Sequence, residues 1–326
     1  MLKFQEIIEK IDCLEESHIL LTALELRVFT FLGKAYHTGE QVARKSKTKK
    51  EGMHALLNAL VAMNVLRMRS GKYANSAETY KHLCESSKDY KKGIVMLRTE
   101  NRKEWGRLLG TLRDGRDLSQ YQGGDDPEFR KLFTHAMHER SELFAEQVSR
   151  EVVRKPVRSL LDFGGGPGSY SAAILQRDKS ACAVLLDRPA TLAVAREIIR
   201  KMRLTGRFKF VDGDMFQIPF GNGFDTVLYS NILHIYNERQ NEMLLRKIYR
   251  SMVKGGRLIL VDYFLEDNRV KPYEAALFSL SMLLWTATGK TYTFSETESM
   301  LKHTGFGRFR RVVLGRGASL IEAIRV

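Results

Sequence analysis

The positions best suited to hold a small ligand form one ordered series in the second half of the chain. Leu160-Leu161-Asp162-Phe163-Gly164-Gly165-Gly166-Pro167-Gly168 is an apolar run that passes into a glycine turn. Glycine accepts positive φ and lets backbone approach a ligand, and a helix starting after such a turn offers unpaired N–H groups. A dinucleotide site wants G-x-G-x-x-G, yet the third glycine counted from Gly164 falls at Ser169, and from Gly166 at Ser171. The spacing is G-x-G-x-G, with the carboxylate of Asp162 two residues ahead of Gly164, which suits a ligand without pyrophosphate. Asp187 follows at the end of the next apolar run, where a carboxylate can accept from both hydroxyls of a ribose. After a third run come Asp214, Met215 and Phe216. There the acid can accept from an adenine amino group while Met215 packs on the ring. Taken singly, an acid at a strand end is a turn residue and a Met beside a Phe is core. In this order, at three successive strand ends, they read as a nucleoside site.

The elements that must position these residues alternate. Strands are predicted at 159–163, 183–186, 208–212, 226–230 and 257–263, with helices at 169–176, 191–203 and 238–252. Such alternation means βαβ units and an α/β fold, Rossmann-like, with a mostly parallel, doubly wound sheet that binds ligands at the carboxyl ends of its strands. The N-terminal part reads differently. Apolar residues keep a helical rhythm over residues 4–33 until Gly33, short helices follow at 39–45 and 50–63, and two strand-like pieces, 65–69 and 72–74, meet at Ser70-Gly71. Three helices and a small hairpin make a winged-helix arrangement. Residues 78–155 are helical with polar breaks. The clearest is Gly123-Gly124-Asp125-Asp126-Pro127, which starts a helix carrying Phe129, Phe133, Met137 and Phe144. The chain thus divides into 1–100, a helical connector 101–155, and 156–326.

Bulk properties narrow the class. With 326 residues, 44% apolar and 28% charged, the chain can build two cores and has no disordered signature. The apolar stretch 275–287 is too short and too interrupted to cross a bilayer, and Lys3, Glu6, Glu9 and Lys10 rule out a signal peptide. Cys13, Cys84 and Cys182 are odd in number and far apart, which suits a reducing cytoplasm and offers neither zinc site nor disulfide framework. The net charge of +15 is spread along the chain, with one local run from Arg44 to Lys50. A DNA-binding regulator with the winged helix as reader is therefore the rival reading. The helix after that run opposes it, since it offers Glu51, His54 and Asn58 but no Arg or Lys between Met53 and Met63.

The chain resembles the class I S-adenosylmethionine-dependent O-methyltransferases of the caffeate and acetylserotonin type, which have many bacterial relatives. The matching segments are LLDFGGGPGSY, LLDRPAT, GDMF, SNILHIYNE, GGRLILVDYF and FRKLFTHAMHERS, with ILLTALELRVFTFL and GKYANS in the N-terminal part. The resemblance spans nearly the whole chain. It implies that residues 1–100 are a dimerisation module and the protein a homodimer. It further implies that Asp162, Gly164, Gly166 and Gly168 hold the methionine part of S-adenosylmethionine, and that Asp187 and Arg188 meet the ribose. Asp214, Met215 and Phe216 would enclose the adenine, and Ser230 would lend a backbone contact. His234 matches the general base of the family's LHDW motif, and Asp262 stands where plant relatives carry a glutamate that orients the base. The acceptor would be a small aromatic molecule in an apolar pocket drawn from Phe133, Met137, Phe278, Met282 and Trp285, the last three at i, i+4 and i+7 of one helix. No metal and no nucleic acid are implied.

Two departures bear on the chemistry. Ile235-Tyr236 replaces Asp-Trp after the histidine, and Thr291 occupies the place of a second acid in the family's GGKERT segment. Any His–acid pair therefore rests on Asp262. A phenol, with a pKa of about 10, needs its proton taken at neutral pH, which a neutral His within reach can do. An acceptor carbon is the alternative within the same architecture, since some bacterial relatives methylate tetrapyrrole carbons and need not use this base.

Overall fold

A computed structural model describes residues 1–118 and 126–326, with side chains omitted at 100–103. The glycine break at 123–125 lies outside the described residues. The chain forms two compact units, Met1–Arg102 and Lys103–Val326.

The first unit contains α1 (Phe4–Glu25), α2 (Val28–Leu32), β1 (His37–Thr38), α3 (Gly39–Ser46), α4 (Lys50–Ala62), β2 (Leu66–Arg69), β3 (Lys72–Asn75) and α5 (Ala77–Leu83). The helix expected over 4–33 is broken at Arg27, which adopts φ 56° while its guanidinium pairs with Glu85. That bend lets Val28, Phe29 and Leu32 pack with Met53, Leu57 and Leu60 in one core. A two-residue strand, β1, was not expected; it pairs with β3 and completes an antiparallel sheet of order β1-β3-β2. The first half of α1 stays uncovered. Phe4 is 76% exposed, and Ile7, Ile11 and Leu14 are 46%, 60% and 60% exposed, although they share one helical stripe.

α6 (Lys92–Gly106) leads into the second unit, followed by α7 (Leu108–Asp114), α8 (Pro127–Ser141) and α9 (Ala145–Val152). Asp126 caps α8 by accepting from the Glu128 N–H at 3.0 Å, with Pro127 at the first helical position. The helix ends before Phe144, which instead opens α9 and enters the core. The sheet and its helices follow: β4 (Ser159–Phe163), α10 (Ser169–Arg177), β5 (Cys182–Asp187), α11 (Pro189–Lys201), β6 (Phe208–Asp212), β7 (Phe224–Ser230), α12 (Glu238–Ser251), β8 (Met252–Tyr263), α13 (Tyr273–Trp285), α14 (Phe294–His303), β9 (Phe306–Gly315) and β10 (Ala318–Arg325).

Strand order is β6-β5-β4-β7-β8-β10-β9, parallel through the first five and antiparallel at β8-β10 and β10-β9. Side chains alternate between two cores. Leu160, Leu228 and Ile259 face the layer of α9, α10 and α11, whereas Leu161, Val227, Tyr229, Leu258 and Leu260 face α12 and α14. With both faces covered, only the strand ends remain available to a ligand. Strands β9 and β10 were not foreseen, and β9 explains why. It is an edge strand carrying Arg308, Arg310 and Arg311, whose charges discourage pairing with another chain and hide the alternation of a strand.

Candidate active site

The carboxyl ends of β4 to β8 carry the expected residues in one row. Gly164, Gly166 and Gly168 all take positive φ, at 68°, 57° and 72°. They differ in what lies behind them. A Cβ on Gly168 would stand 2.6 Å from Leu185 Cδ1, and one on Gly164 would stand 2.8 Å from Ile232 and 2.9 Å from Met215. A Cβ on Gly166 would meet nothing within 4 Å, so the loop is open at its middle. Asp187 fixes that opening from the next strand: its Oδ2 accepts from the Gly166 N–H at 2.9 Å and its Oδ1 from the Arg188 N–H at 2.7 Å. Burial raises the Asp187 carboxyl above its ordinary value, and those two N–H groups pull it back.

Asp162 is buried beneath the loop at 1% exposure. Ser171 lies 2.5 Å from its Oδ2, while its Oδ1 has no hydrogen-bond partner among the described residues. Burial pushes this carboxyl up to about 7, with the Ser171 hydroxyl opposing the shift. An open glycine cradle above an unpartnered buried carboxylate oxygen fits a ligand that brings a cation to the loop.

After β6, the carboxylate of Asp214 accepts from the Phe216 N–H at 2.9 Å. The segment is held from α12 by Lys247, a residue missed in the sequence. Its ammonium donates to the carbonyls of Met215, Phe216 and Ile218 at 2.8, 3.0 and 3.1 Å, and burial lowers its pKa. Phe216 packs edge-to-face on Tyr236, with ring centroids 5.0 Å apart. The aromatic ring two residues after His234 thus supports the Asp214 segment.

At the end of β7, Ser230 is buried and Asn231 takes φ 55°. The following turn, Leu233–Ile235, presents His234. Its Nδ1 lies 2.6 Å from Asp262 Oδ1, and its backbone N–H reaches Asp262 Oδ2 at 3.3 Å. The same carboxylate accepts from the Tyr263 N–H at 2.7 Å. Asp262 is 1% exposed, so a buried acid accepts three N–H groups and fixes the imidazole with its proton on Nδ1. Nε2 is then an acceptor, and it has no protein partner among the described residues. The turn is clasped from behind by Asn241, fully buried on α12. Its amide donates to the carbonyls of Leu233 and Tyr236 at 2.9 and 3.0 Å, and its oxygen accepts from the Tyr229 hydroxyl at 2.7 Å. A buried polar residue spaced seven after the histidine was the only trace of this role in the sequence.

Of the expected pocket residues, the structure joins Phe278 to His234: its ring meets the imidazole edge-on at 4.9 Å and stacks on Tyr263 at 4.4 Å. Met282 is buried on the same helix, and Trp285 meets Trp105 edge-on at 6.2 Å. Phe133 is stacked on Phe129 and is not tied to His234 by any described ring contact; Met137 sits one turn further along α8. Thr291 is buried, and its hydroxyl has no partner among the described residues. Among the described residues, no group of His, Cys, Asp and Glu could hold a metal ion, and no helix is long and apolar enough to cross a membrane.

A doubly wound sheet with a G-x-G-x-G cradle, a strand-end acid on each of β5 and β8, and a third acid just past β6 defines an S-adenosylmethionine-dependent methyltransferase. Comparison with known proteins gives the family. The O-methyltransferase domain matches residues 100–307, and the O-methyltransferase dimerisation domain matches residues 8–83. The chain belongs to the O-methyltransferases. It is 29% identical over 308 residues to 3-hydroxy-5-methyl-1-naphthoate 3-O-methyltransferase of Streptomyces sahachiroi, covering 91% of this chain and 88% of that one. It is 30% identical over 201 residues to L-tyrosine C(3)-methyltransferase of Streptomyces lavendulae, covering 61% of this chain and 55% of that one. The structure of an O-methyltransferase family protein from Burkholderia thailandensis superimposes with a TM-score of 0.88 at 25% identity, covering 100% of this chain and 98% of that one.

Asn241→Ala would leave the Leu233 carbonyl and the Tyr229 hydroxyl without their partner, while the Tyr236 carbonyl keeps the Tyr292 hydroxyl at 2.7 Å. The expected result is a stability loss of roughly 2–4 kcal/mol in denaturant titration. Turnover should fall more than S-adenosylhomocysteine affinity, because the clasp holds the His234 turn directly and the Asp214 segment only through Tyr236.

Proposed function

We propose that this O-methyltransferase transfers a methyl group to a hydroxyl of a small aromatic or polycyclic acceptor, with His234 as general base and Asp262 as the group that orients it. The observation that carries this reading is the 2.6 Å contact between His234 Nδ1 and the buried Asp262, which leaves Nε2 unprotonated and unpartnered beside the Phe278 ring. A hydroxyl within reach of Nε2 gives up its proton there, and the buried carboxylate stabilises the imidazolium that results. S-adenosylmethionine supplies an electrophilic methyl on a sulfonium when bound. Asp162 and the loop Gly164–Gly168 would hold its amino-acid part, Asp187 with Arg188 its ribose, and Asp214, Met215 and Phe216 its adenine, with Ser230 lining the same edge. Their order along the sheet supports this: the β6 end lies at one extreme and the His234–Asp262 pair, after β7 and β8, at the other. Phe278, Met282 and Trp285 on α13, with Phe133 and Met137 on α8, are the acceptor-pocket candidates.

An acceptor carbon is the second reading, favoured by the similarity to L-tyrosine C(3)-methyltransferase. A DNA-reading role has less support, because two polar residues of α4 are engaged within their own unit. Asn58 accepts from the Tyr73 hydroxyl at 2.7 Å, and His54 lies 3.2 Å from Glu40. We further propose that the chain works as a homodimer through the uncovered stripe of α1, which the match to a dimerisation domain supports.

Three outcomes are expected. His234→Ala should lower kcat on a phenolic acceptor by about two to four orders of magnitude, and an unchanged rate would point to an acceptor carbon or to positioning alone. Asp162, with its carboxyl near 7 in the free protein, is mostly protonated at pH 6; a cation arriving beside it favours ionisation. S-adenosylhomocysteine binding at pH 6 should therefore release protons, seen as a binding enthalpy that varies with the ionisation heat of the buffer and ceases to vary in Asp162→Asn. In sedimentation, the native protein should run as a dimer and the Ile11→Asp, Leu14→Asp variant as a monomer; a native monomer would sink the dimer proposal.

A further inference from the structure

Arg140, near the end of α8, is a cation with unused capacity at the edge of the site. One N–H of its guanidinium donates to the Tyr263 hydroxyl at 2.7 Å. The guanidinium carbon lies 5.3 Å from the centre of the Tyr263 ring and 5.8 Å from that of Phe278. Those two rings are stacked on each other, and Phe278 is the ring that touches His234. On its other side, Arg140 is close enough to the buried Tyr170, in the first turn after the glycine loop, for its charge to oppose the burial that pushes that phenol up to about 12. The guanidinium is only partly buried and forms no ion pair among the described residues. An arginine has five N–H donors in a planar fork. Here one is committed, and the aromatic flank fixes the direction of the others without neutralising the charge.

A guanidinium held by one hydroxyl and two ring faces, one ring away from His234, keeps N–H donors directed toward an anion at this edge of the site. We propose that Arg140 recognises a carboxylate held beside the methyl-transfer centre, in the bidentate manner open to a guanidinium. Two ligands can bring that group: an acidic aromatic acceptor docked against Phe278 and His234, or the amino-acid part of the cofactor on the Tyr170 side. The acceptor is favoured by the shared Phe278 ring, and this arm rests on the reading of His234 as the residue that meets the acceptor. The inference then names the acceptor class: a hydroxylated aromatic carboxylic acid.

The test reads binding rather than turnover, so that its failure is separable from failure of the general-base reading. The probes are 3-hydroxy-2-naphthoate and its methyl ester, titrated into the S-adenosylhomocysteine-bound protein, with S-adenosylhomocysteine and 5′-methylthioadenosine titrated into the free protein. In the native enzyme the acid should bind about tenfold or more tighter than the ester, and Arg140→Met should remove that gap while leaving the ester unchanged. Arg140→Lys keeps the charge without the fork and should retain part of the preference. It also serves as the control if the Met variant is poorly folded. If the cofactor is the source, Arg140→Met should weaken S-adenosylhomocysteine about tenfold and leave 5′-methylthioadenosine, which has no carboxylate, unaffected. A Met variant that keeps both the acid–ester gap and its S-adenosylhomocysteine affinity overturns the proposal.

Discussion

The carboxylate of Asp262 is the interaction on which the reactive end of this protein depends. It is buried at the end of β8, where an isolated charge would be strongly unfavourable, and it is satisfied by three N–H groups from two neighbouring segments. Two of those N–H groups belong to His234, one from its ring and one from its backbone. One anion therefore sets both the tautomer of His234 and the position of its main chain. The strand that supplies the acid and the turn that supplies the histidine are neighbours because β7 and β8 pair in parallel, with Ser230 opposite Val261. A slip in that register would separate the pair, so the packing of the sheet and the chemistry at its edge are one constraint.

The other ligand-facing segments are also held by backbone clasps rather than by packing alone. Asp187 holds the glycine loop through the Gly166 N–H, Lys247 gathers three carbonyls of the segment after Asp214, and Asn241 gathers two from the turn of His234. Loops at strand ends carry polar backbone that the sheet cannot satisfy. Here the neighbouring strand end and α12 do so. Two of the three clasps come from α12, six residues apart, so a single helix aligns the Asp214 segment with the turn of His234.

Much of the site was legible because it is local. The glycine loop, Asp187 and Asp214-Met215 each sit where a strand stops, and strand ends can be read from short apolar runs. The parallel core was legible for the same reason, since Leu160-Leu161 and Val227-Leu228 are buried on both faces and read as continuous apolar strands. What escaped was either masked by charge or long in range. The arginines of β9 obscured a strand, and the break at Arg27 shows only once Val28, Phe29 and Leu32 are seen packed with Met53, Leu57 and Leu60. Lys247 and Asn241 looked like ordinary polar positions of an amphipathic helix. Their function appears only when the helix is laid against loops that come from elsewhere in the chain.

The departures from the family pattern can be weighed on the same footing. With Thr291 in the place of a second acid, the orientation of His234 rests on other contacts, since a second carboxylate is only one way to fix an imidazole. Rotation of the ring about its own bonds is stopped by Asp262 Oδ1, and displacement of the turn is stopped by Asp262 Oδ2 and by Asn241. The edge-on contact with Phe278 limits the remaining freedom of the ring. An added acid in the place of Thr291 would itself have to be buried, where an unpaired negative charge is costly. A single carboxylate satisfied by three N–H groups, with a backbone clasp behind the turn, is sufficient to fix the His234 imidazole.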